Sequence, residues 1–527
     1  MQRTPPVTRA PVPGGRLFLR KPAEAVAAEA RSGAMLRRLG AVQLTLLGIG
    51  SIIGAGIYVM TGNAAASFAG PGVLLSFVLA GVACGFAALC YAELASAMPV
   101  SGSAYTYAYA TLGELPAWVI GWLMLLEFGI AGAAVSTGLA GYLSSLLGSF
   151  GIVVPAGIRS PLVEVVAGPG GDALRWNGGI NLVAVAAIAL VVAVLVRGVA
   201  ESARANAVIV AVKLGVLVLF VVFGAHAVRV ANLEPFIPPN EGGFRFGVPG
   251  VLRAASVIFF AYMGFETVST AGAEARDPQR DMPRGIIAAL LVSTVFYLVV
   301  ALVLVGAVPF RELGVPDPLA IAVDAMGLPQ LAVAVKLGAV AGLSSVLLAV
   351  TYGQSRILYS MARDGLVPPL FARLHPVRRT PAAGTVVLGC CMAIAAAFLP
   401  IGIIGDLVSL GTTGAFGIVC ATVIWHRNRF PDASRVFRVP GGGVRMRGMW
   451  IGVVPVLGVL FSALMATPLL VDLVRGAFGR NPLPFALLSG YGLLGALVYA
   501  GYGFRRSRLG RGLPPIGPAE GEAGLSA

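Results

Sequence analysis

Long apolar runs separated by short polar segments dominate this chain. Twelve runs of about 20 residues each stand out, at roughly 42–66, 71–98, 116–147, 180–197, 205–227, 251–272, 285–307, 331–359, 383–400, 404–426, 449–471 and 483–504. As helices, such runs are long enough to cross a hydrocarbon core of about 30 Å. A membrane β-barrel would need ten-residue segments of alternating polarity, and these runs do not alternate. The pattern therefore predicts an all-α polytopic membrane protein with about twelve transmembrane helices.

Two runs are interrupted in the middle. Span 1 reads "LTLLGIGSIIGAGIYVMTG" and places Gly48, Gly50, Gly54 and Gly56 within nine positions. Each costs a helix about 1 kcal/mol relative to alanine. Span 6 reads "LRAASVIFFAYMGFETVSTAG", with Gly264 in mid-span and the acid Glu266 just after it. Close helix packing through small residues is one explanation. A paired break at matching positions of two halves is the other, and it marks a carrier's binding site. Spans 1–5 and 6–10 would then form a five-plus-five inverted repeat. An unwound span frees amides at the start of its second half, where the helix dipole favours a carboxylate. It also frees carbonyls at the end of its first half, which suit an ammonium. Together the two poles fit the zwitterionic end of an amino acid.

Composition supports the membrane reading. The 527 residues are 57% apolar and 12% charged, with a mean hydropathy of +0.87; soluble domains carry about 25% charge. The net charge of +15 would suggest nucleic acid in a soluble protein, but here it is distributed by side. With the N-terminus in the cytoplasm, 28 Lys and Arg fall on the cytoplasmic side and 9 on the other, as the positive-inside rule predicts. No nucleic-acid partner is implied; the expected setting is the cell membrane, with both termini cytoplasmic and lipid around the spans. The five cysteines lie in apolar runs without a CxxC and read as buried free thiols. The three histidines are scattered, so neither a metal nor another cofactor is expected. The organisation predicted is a flexible basic tail (1–40), a transport core (41–426, with repeats at about 42–227 and 251–426), a basic cytoplasmic loop (427–448), two further spans (449–504) and a disordered tail (505–527).

Four stretches, "GIGSIIGAGIYVMTG", "YAELASAMPVSGSAYTYAYATLGELPAWVIGW", "FFAYMGFETVSTAGAEARDPQRDMPRGI" and "YGQSRILYSMARDGLVP", resemble the amino acid–polyamine–organocation superfamily. Within it the likeness is to bacterial relatives of the cationic amino acid transporters. The resemblance implies a leucine-transporter-like fold and alternating access. It implies that the amides of Ala55 and Gly56, helped by Gly54, take a substrate carboxylate. The carbonyls of Ile52, Phe260, Ala261 and Met263 would take its ammonium, and the Phe260 ring would cover it. Some relatives carry Ser at the position of Ala55, so a hydroxyl contact is absent here while the amide remains.

Intramembrane charge is costly and usually functional. Lys213, within "NAVIVAVKLGVLVLFVVFG", is too deep in its run to reach the interface. The resemblance places it where sodium-coupled relatives hold a cation, which implies a fixed ammonium coupling transport to protons. Glu127, in mid-span 3, is either a pocket acid or part of a proton relay. Glu266 is a candidate for contacting substrate, sensing protons or holding the unwound backbone. Glu93 and Asp406, at span ends, read as interfacial or capping groups, and Ser344 and Ser345 as pocket-lining or backbone-bonded.

The function these features support is a secondary active permease, coupling protons to cationic or small neutral L-amino acids. Exchange or sodium coupling is the rival within the carrier class. A passive channel would need a continuous polar stripe or charge rings, and the polar residues are isolated. A membrane enzyme would need a nucleophile–base or metal constellation, and no GxSxG or HExxH occurs.

Overall fold

The computed structural model describes residues 15–22, 39–100, 102–166, 173–198, 203–376, 378, 380–433, 435–479 and 481–513. Among them the chain is mostly helical. Nine helical stretches are long and apolar enough to cross a membrane, the first of which, Ala41–Ala97, covers the first two predicted spans. Leu182–Val196 and Ala382–Phe398, at the fourth and ninth predicted positions, are shorter apolar helices. At 1.5 Å per residue they extend only about 22 and 26 Å.

The predicted positions serve as span numbers. Span 2 is Val73–Ala97, span 3 Glu114–Gly148, span 5 Ala203–Gly224, span 7 Pro278–Ala307, span 8 Pro329–Arg363, span 10 Ile401–Arg429, span 11 Val453–Ala477 and span 12 begins at Leu483. Spans 4 and 9 are the two shorter helices. A nine-residue helix, Ser103–Thr111, follows span 2. Spans 2 and 7, 3 and 8, and 4 and 9 pack against each other, and the second half of span 6 packs on span 1. Each pair is five spans apart.

Both predicted interruptions are present. The first half of span 1, Ala41–Ile52, ends where Ile53 turns extended, and the chain re-enters helix as a π-helical segment at Gly56–Met60. Span 6 runs as an α-helix from Gly247 to Ile258 and tightens to a 3-10 turn over Phe259–Tyr262. It resumes at Phe265–Thr270 after Gly264, whose φ of 125° lies in the region that favours glycine.

Several features differ from the sequence expectation. Two small antiparallel hairpins occur, β1 (Val163–Val166) with β2 (Ala173–Trp176), and β3 (Gly443–Met446) with β4 (Met449–Gly452). Of the five cysteines, Cys84, Cys90 and Cys420 are buried, but Cys390 and Cys391 on span 9 are exposed; a short apolar helix at the rim shows one face to lipid. Part of the expected N-terminal tail is packed rather than free. The Lys21 ammonium lies 3.2 Å from Asp364 at the end of span 8, and the Lys21 amide donates to the Tyr109 carbonyl at 3.2 Å. The rest of that tail, and residues 514–527, lie outside the described residues. Tyr499 near the end of span 12, Ser507 just past it and Tyr109 of the Ser103–Thr111 helix all donate to the buried Glu114 carboxylate.

Candidate substrate and coupling site

The two breaks meet. A Cβ added to Gly264 would stand 2.7 Å from the Ile52 nitrogen and 2.7 Å from the Ser51 carbonyl carbon. One added to Gly56 would stand 2.4 Å from Ala261 Cβ and 2.5 Å from its Cα. Glycine is needed at both places because one backbone lies directly on another, which is closer than any side chain permits. The opposing residues Ile52, Ala55, Phe260, Ala261 and Met263 are all buried, as are Gly54 and Gly56. The second half of span 1 begins here. The Tyr58 amide donates to the Gly54 carbonyl at 3.1 Å, and the amides of Ala55 and Gly56 precede it in the first turn, where a helix supplies its amides no intrahelical acceptor.

The carbonyl pole holds a residue that the sequence did not single out. Tyr297 Oη, on span 7, lies 2.7 Å from the Ile52 carbonyl and 2.7 Å from the Ala261 carbonyl. A phenol has one proton, so it can donate fully to only one of these acceptors at a time. The Phe260 carbonyl accepts from the Met263 amide at 3.0 Å. Of the four carbonyls expected to face an ammonium, two therefore converge on one phenolic proton and a third serves the local turn.

Lys213 lies against span 1. Its side chain is buried, and its ammonium donates to the Gly50 carbonyl at 2.8 Å and the Ile53 carbonyl at 3.3 Å. These carbonyls end the first half-helix, where the dipole is negative, so they replace part of the hydration a buried cation loses. Gly342 on span 8 makes room for the stem: a Cβ there would meet Lys213 Cε and Cγ at 3.1 Å.

Glu266 turns back onto its own backbone. Both carboxylate oxygens accept from the Gly264 amide, at 2.9 and 2.8 Å, at the head of the resumed helix. Thr267 Oγ1 lies 2.5 Å from the Gly264 carbonyl and 3.0 Å from Ser51 Oγ, linking the two breaks. Glu127 is buried on span 3 beneath Gly411 of span 10, and its Oε1 has no hydrogen-bond partner among the described residues. Ser344 donates to the Val340 carbonyl one turn back, at 2.8 Å.

The two acids read as interfacial or capping are ion-paired. Arg253, in the first half of span 6, donates to Asp406 of span 10 at 2.8 Å and to Asp472 of span 11 at 2.6 Å. Glu93 is fully buried and accepts from Arg427 and, at 2.7 Å, from the Val439 amide. Their partners are 153 or more residues away along the chain, which the reading of isolated span ends could not supply.

Comparison with known proteins gives a consistent result. The family described as "Amino acid permease" matches residues 39–494. The chain is 44% identical to the methylthioribose transporter of Bacillus subtilis (strain 168) over 424 residues, covering 80% of this chain and 88% of that protein. It is 40% identical to the branched-chain amino acid permease BcaP of the same organism over 452 residues, covering 85% and 91%. It is 36% identical to the vacuolar cationic amino acid transporter 4 of Arabidopsis thaliana over 400 residues, covering 76% and 64%. A match across nearly the whole membrane region, with both helix breaks inside it, makes this chain a member of the amino acid permease family: a multi-pass membrane transporter of amino acids, and not an enzyme.

Proposed function

We propose that the chain carries a cationic or small neutral L-amino acid together with a proton across the cell membrane, with both termini in the cytoplasm. The observation that carries the substrate reading is the proton shortage at the Ile52 and Ala261 carbonyls. Two buried acceptors share the single Tyr297 hydrogen, and an arriving ammonium would bring three donors. Its carboxylate would take the first-turn amides of Ala55 and Gly56. Spans 1–5 and 6–10, at about 42–227 and 251–426, would move as inverted repeats; the pairing of spans five apart supports this, since an odd count inverts the second half.

Lys213 would couple the proton. Its ammonium braces the end of the first half-helix through Gly50 and Ile53; losing a proton would release that brace and free the half-helix to tilt. Glu127, a buried acid with one oxygen unpartnered among the described residues, is the next group suited to relay a proton. A fixed ammonium in this position also opposes sodium, because two cations would compete for the same carbonyls.

The test is uptake by the purified chain in liposomes. An inward proton gradient should accelerate uptake of an amino acid, and Lys213→Ala should abolish the acceleration. Uptake that requires sodium and survives the substitution would overturn the coupling. The 44% identity to a methylthioribose transporter favours a second cargo beside amino acids, a neutral thioether sugar. That cargo has neither carboxylate nor ammonium, so competition between methylthioribose and amino acids for uptake separates the two.

A further inference from the structure

The β3–β4 hairpin joins the end of span 10 to span 11 with no linker on the second side, since β4 ends at Gly452 and span 11 begins at Val453. Its register pairs Val444 with Ile451, Arg445 with Trp450 and Met446 with Met449. Side chains of directly paired residues share a face, and successive pairs alternate. Val444, Ile451, Met446 and Met449 therefore make one apolar face, while Arg445 and Trp450 make the other. On that second face Trp450 packs inward while Arg445 stays exposed. The Arg427 guanidinium stacks 4.0 Å from the Trp450 ring, and Asn428 holds the Trp450 backbone through two hydrogen bonds of 2.7 and 2.8 Å. The apolar face points away from the protein, with Val444 68%, Met446 61% and Met449 40% exposed.

The depth of the hairpin is fixed by its anchor. Trp425 on span 10 is 46% exposed, as expected of a tryptophan in the interfacial belt. Asn428 follows it by about one helical turn, roughly 4.5 Å along the axis. Val453, where span 11 starts, is itself exposed, so the apolar face of the hairpin continues the lipid-facing surface of the spans. The turn carries a further feature. Arg447 and Gly448 both have positive φ, 52° and 82°, as a type I′ turn requires. That turn prefers Asn-Gly, and arginine is a strained choice. The strain places a cation at the tip, beside exposed Arg445.

We propose that this hairpin docks on the membrane surface, with its apolar side chains among the acyl chains and Arg445 and Arg447 on the phosphates of anionic lipid headgroups. The lipid is favoured over a soluble protein partner because the face is continuous with the lipid-facing spans and its rim is cationic. Arginine forms bidentate bonds to phosphate, and attraction between exposed charges is screened within about 8 Å at physiological salt, so docking weakens as salt rises.

The full chain with Cys390→Ser and Cys391→Ser, carrying Met446→Cys labelled with a polarity-sensitive fluorophore, tests this. It is placed in nanodiscs of phosphatidylcholine alone or of phosphatidylcholine with phosphatidylglycerol. The expected result is blue-shifted emission, quenched by brominated acyl chains, that strengthens with phosphatidylglycerol and fades with salt. Arg445→Gln with Arg447→Asn should lower the signal to that of phosphatidylcholine alone without lowering the melting temperature, because asparagine suits the turn. A water-exposed label in both lipids overturns the docking, and a phosphatidylglycerol effect that persists in the arginine variant overturns the headgroup recognition. Val444→Cys serves as a second reporter should the label at 446 itself disturb the face.

Discussion

Substituting Gly264 by alanine should damage the site through two penalties at once. At φ 125° and ψ −24° an L-residue is strained by about 1–3 kcal/mol. The new Cβ would also lie 2.7 Å from both the Ile52 nitrogen and the Ser51 carbonyl carbon, and 2.9 Å from the Ser51 oxygen. These are backbone atoms, so relief requires the two broken spans to separate; overpacking of this kind costs about 1–3 kcal/mol. The sum, about 2–6 kcal/mol, is a large part of a typical stability of about 5–15 kcal/mol. Gly85→Ala on span 2 is the control, because a Cβ there meets nothing within 4 Å and gains about 1 kcal/mol of helix propensity. Thermal unfolding and amino acid binding should be measured in detergent for both. Gly264→Ala should lower the melting temperature and weaken binding at least about tenfold, the equivalent of 1.4 kcal/mol, while Gly85→Ala does neither. Wild-type stability and affinity in Gly264→Ala would refute the reasoning.

Three further outcomes are expected. Tyr297→Phe leaves the Ile52 and Ala261 carbonyls without their shared donor, so the substrate-free protein should lose about 1–3 kcal/mol. Because an ammonium can replace the phenol, the rise in melting temperature on adding saturating amino acid should be larger than in wild type. Arg253→Gln strands Asp406 and Asp472 facing each other, and thermal unfolding should show a loss of up to about 3–5 kcal/mol, discounted for the partial exposure of the two acids. Asp317, in the loop between spans 7 and 8, has its carboxyl raised above the usual range by burial, against the opposing pull of Ser145, Lys336 and Arg159. A raised acid binds its proton more tightly when folded, so its contribution is most favourable at low pH and declines as pH climbs from the unfolded value through the folded one. Melting temperatures of Asp317→Asn should therefore gain on wild type as pH rises through that window, and a constant difference would count against it.

The helix breaks were legible in the sequence because glycine has a distinct physical signature. Four glycines in nine residues, and one glycine before an intramembrane acid, are costly in a helix unless backbone must approach backbone. Lys213 was legible for a similar reason, since a lone ammonium deep in an apolar run needs acceptors. Tyr297 was not. A tyrosine in "VSTVFYLVV" reads as an ordinary apolar-span aromatic, and its task appears only when span 7 is laid beside both breaks. Glu266 was legible as an acid beside the span 6 break, but its bond to the amide two residues earlier required the φ of Gly264. Its position just inside a resumed helix, where acids favour the free amides, was the available hint. The Arg253 and Glu93 ion pairs depend on partners far along the chain, so no local window contains them. The β3–β4 hairpin was hidden because β3 fell in the segment read as a basic loop (427–448) and β4 in the expected start of span 11 at 449, and its alternating Val444, Arg445, Met446 run is only four residues long with Gly443.

The most direct test of the central claim is an experimental structure of the full chain with a transported amino acid bound. The α-carboxylate should lie within hydrogen-bond distance of the Ala55 and Gly56 amides, and the ammonium against the Ile52 and Ala261 carbonyls beside Tyr297. An amino acid found elsewhere, with spans 1 and 6 continuous through Ile53–Gly54 and Met263–Gly264, would contradict it.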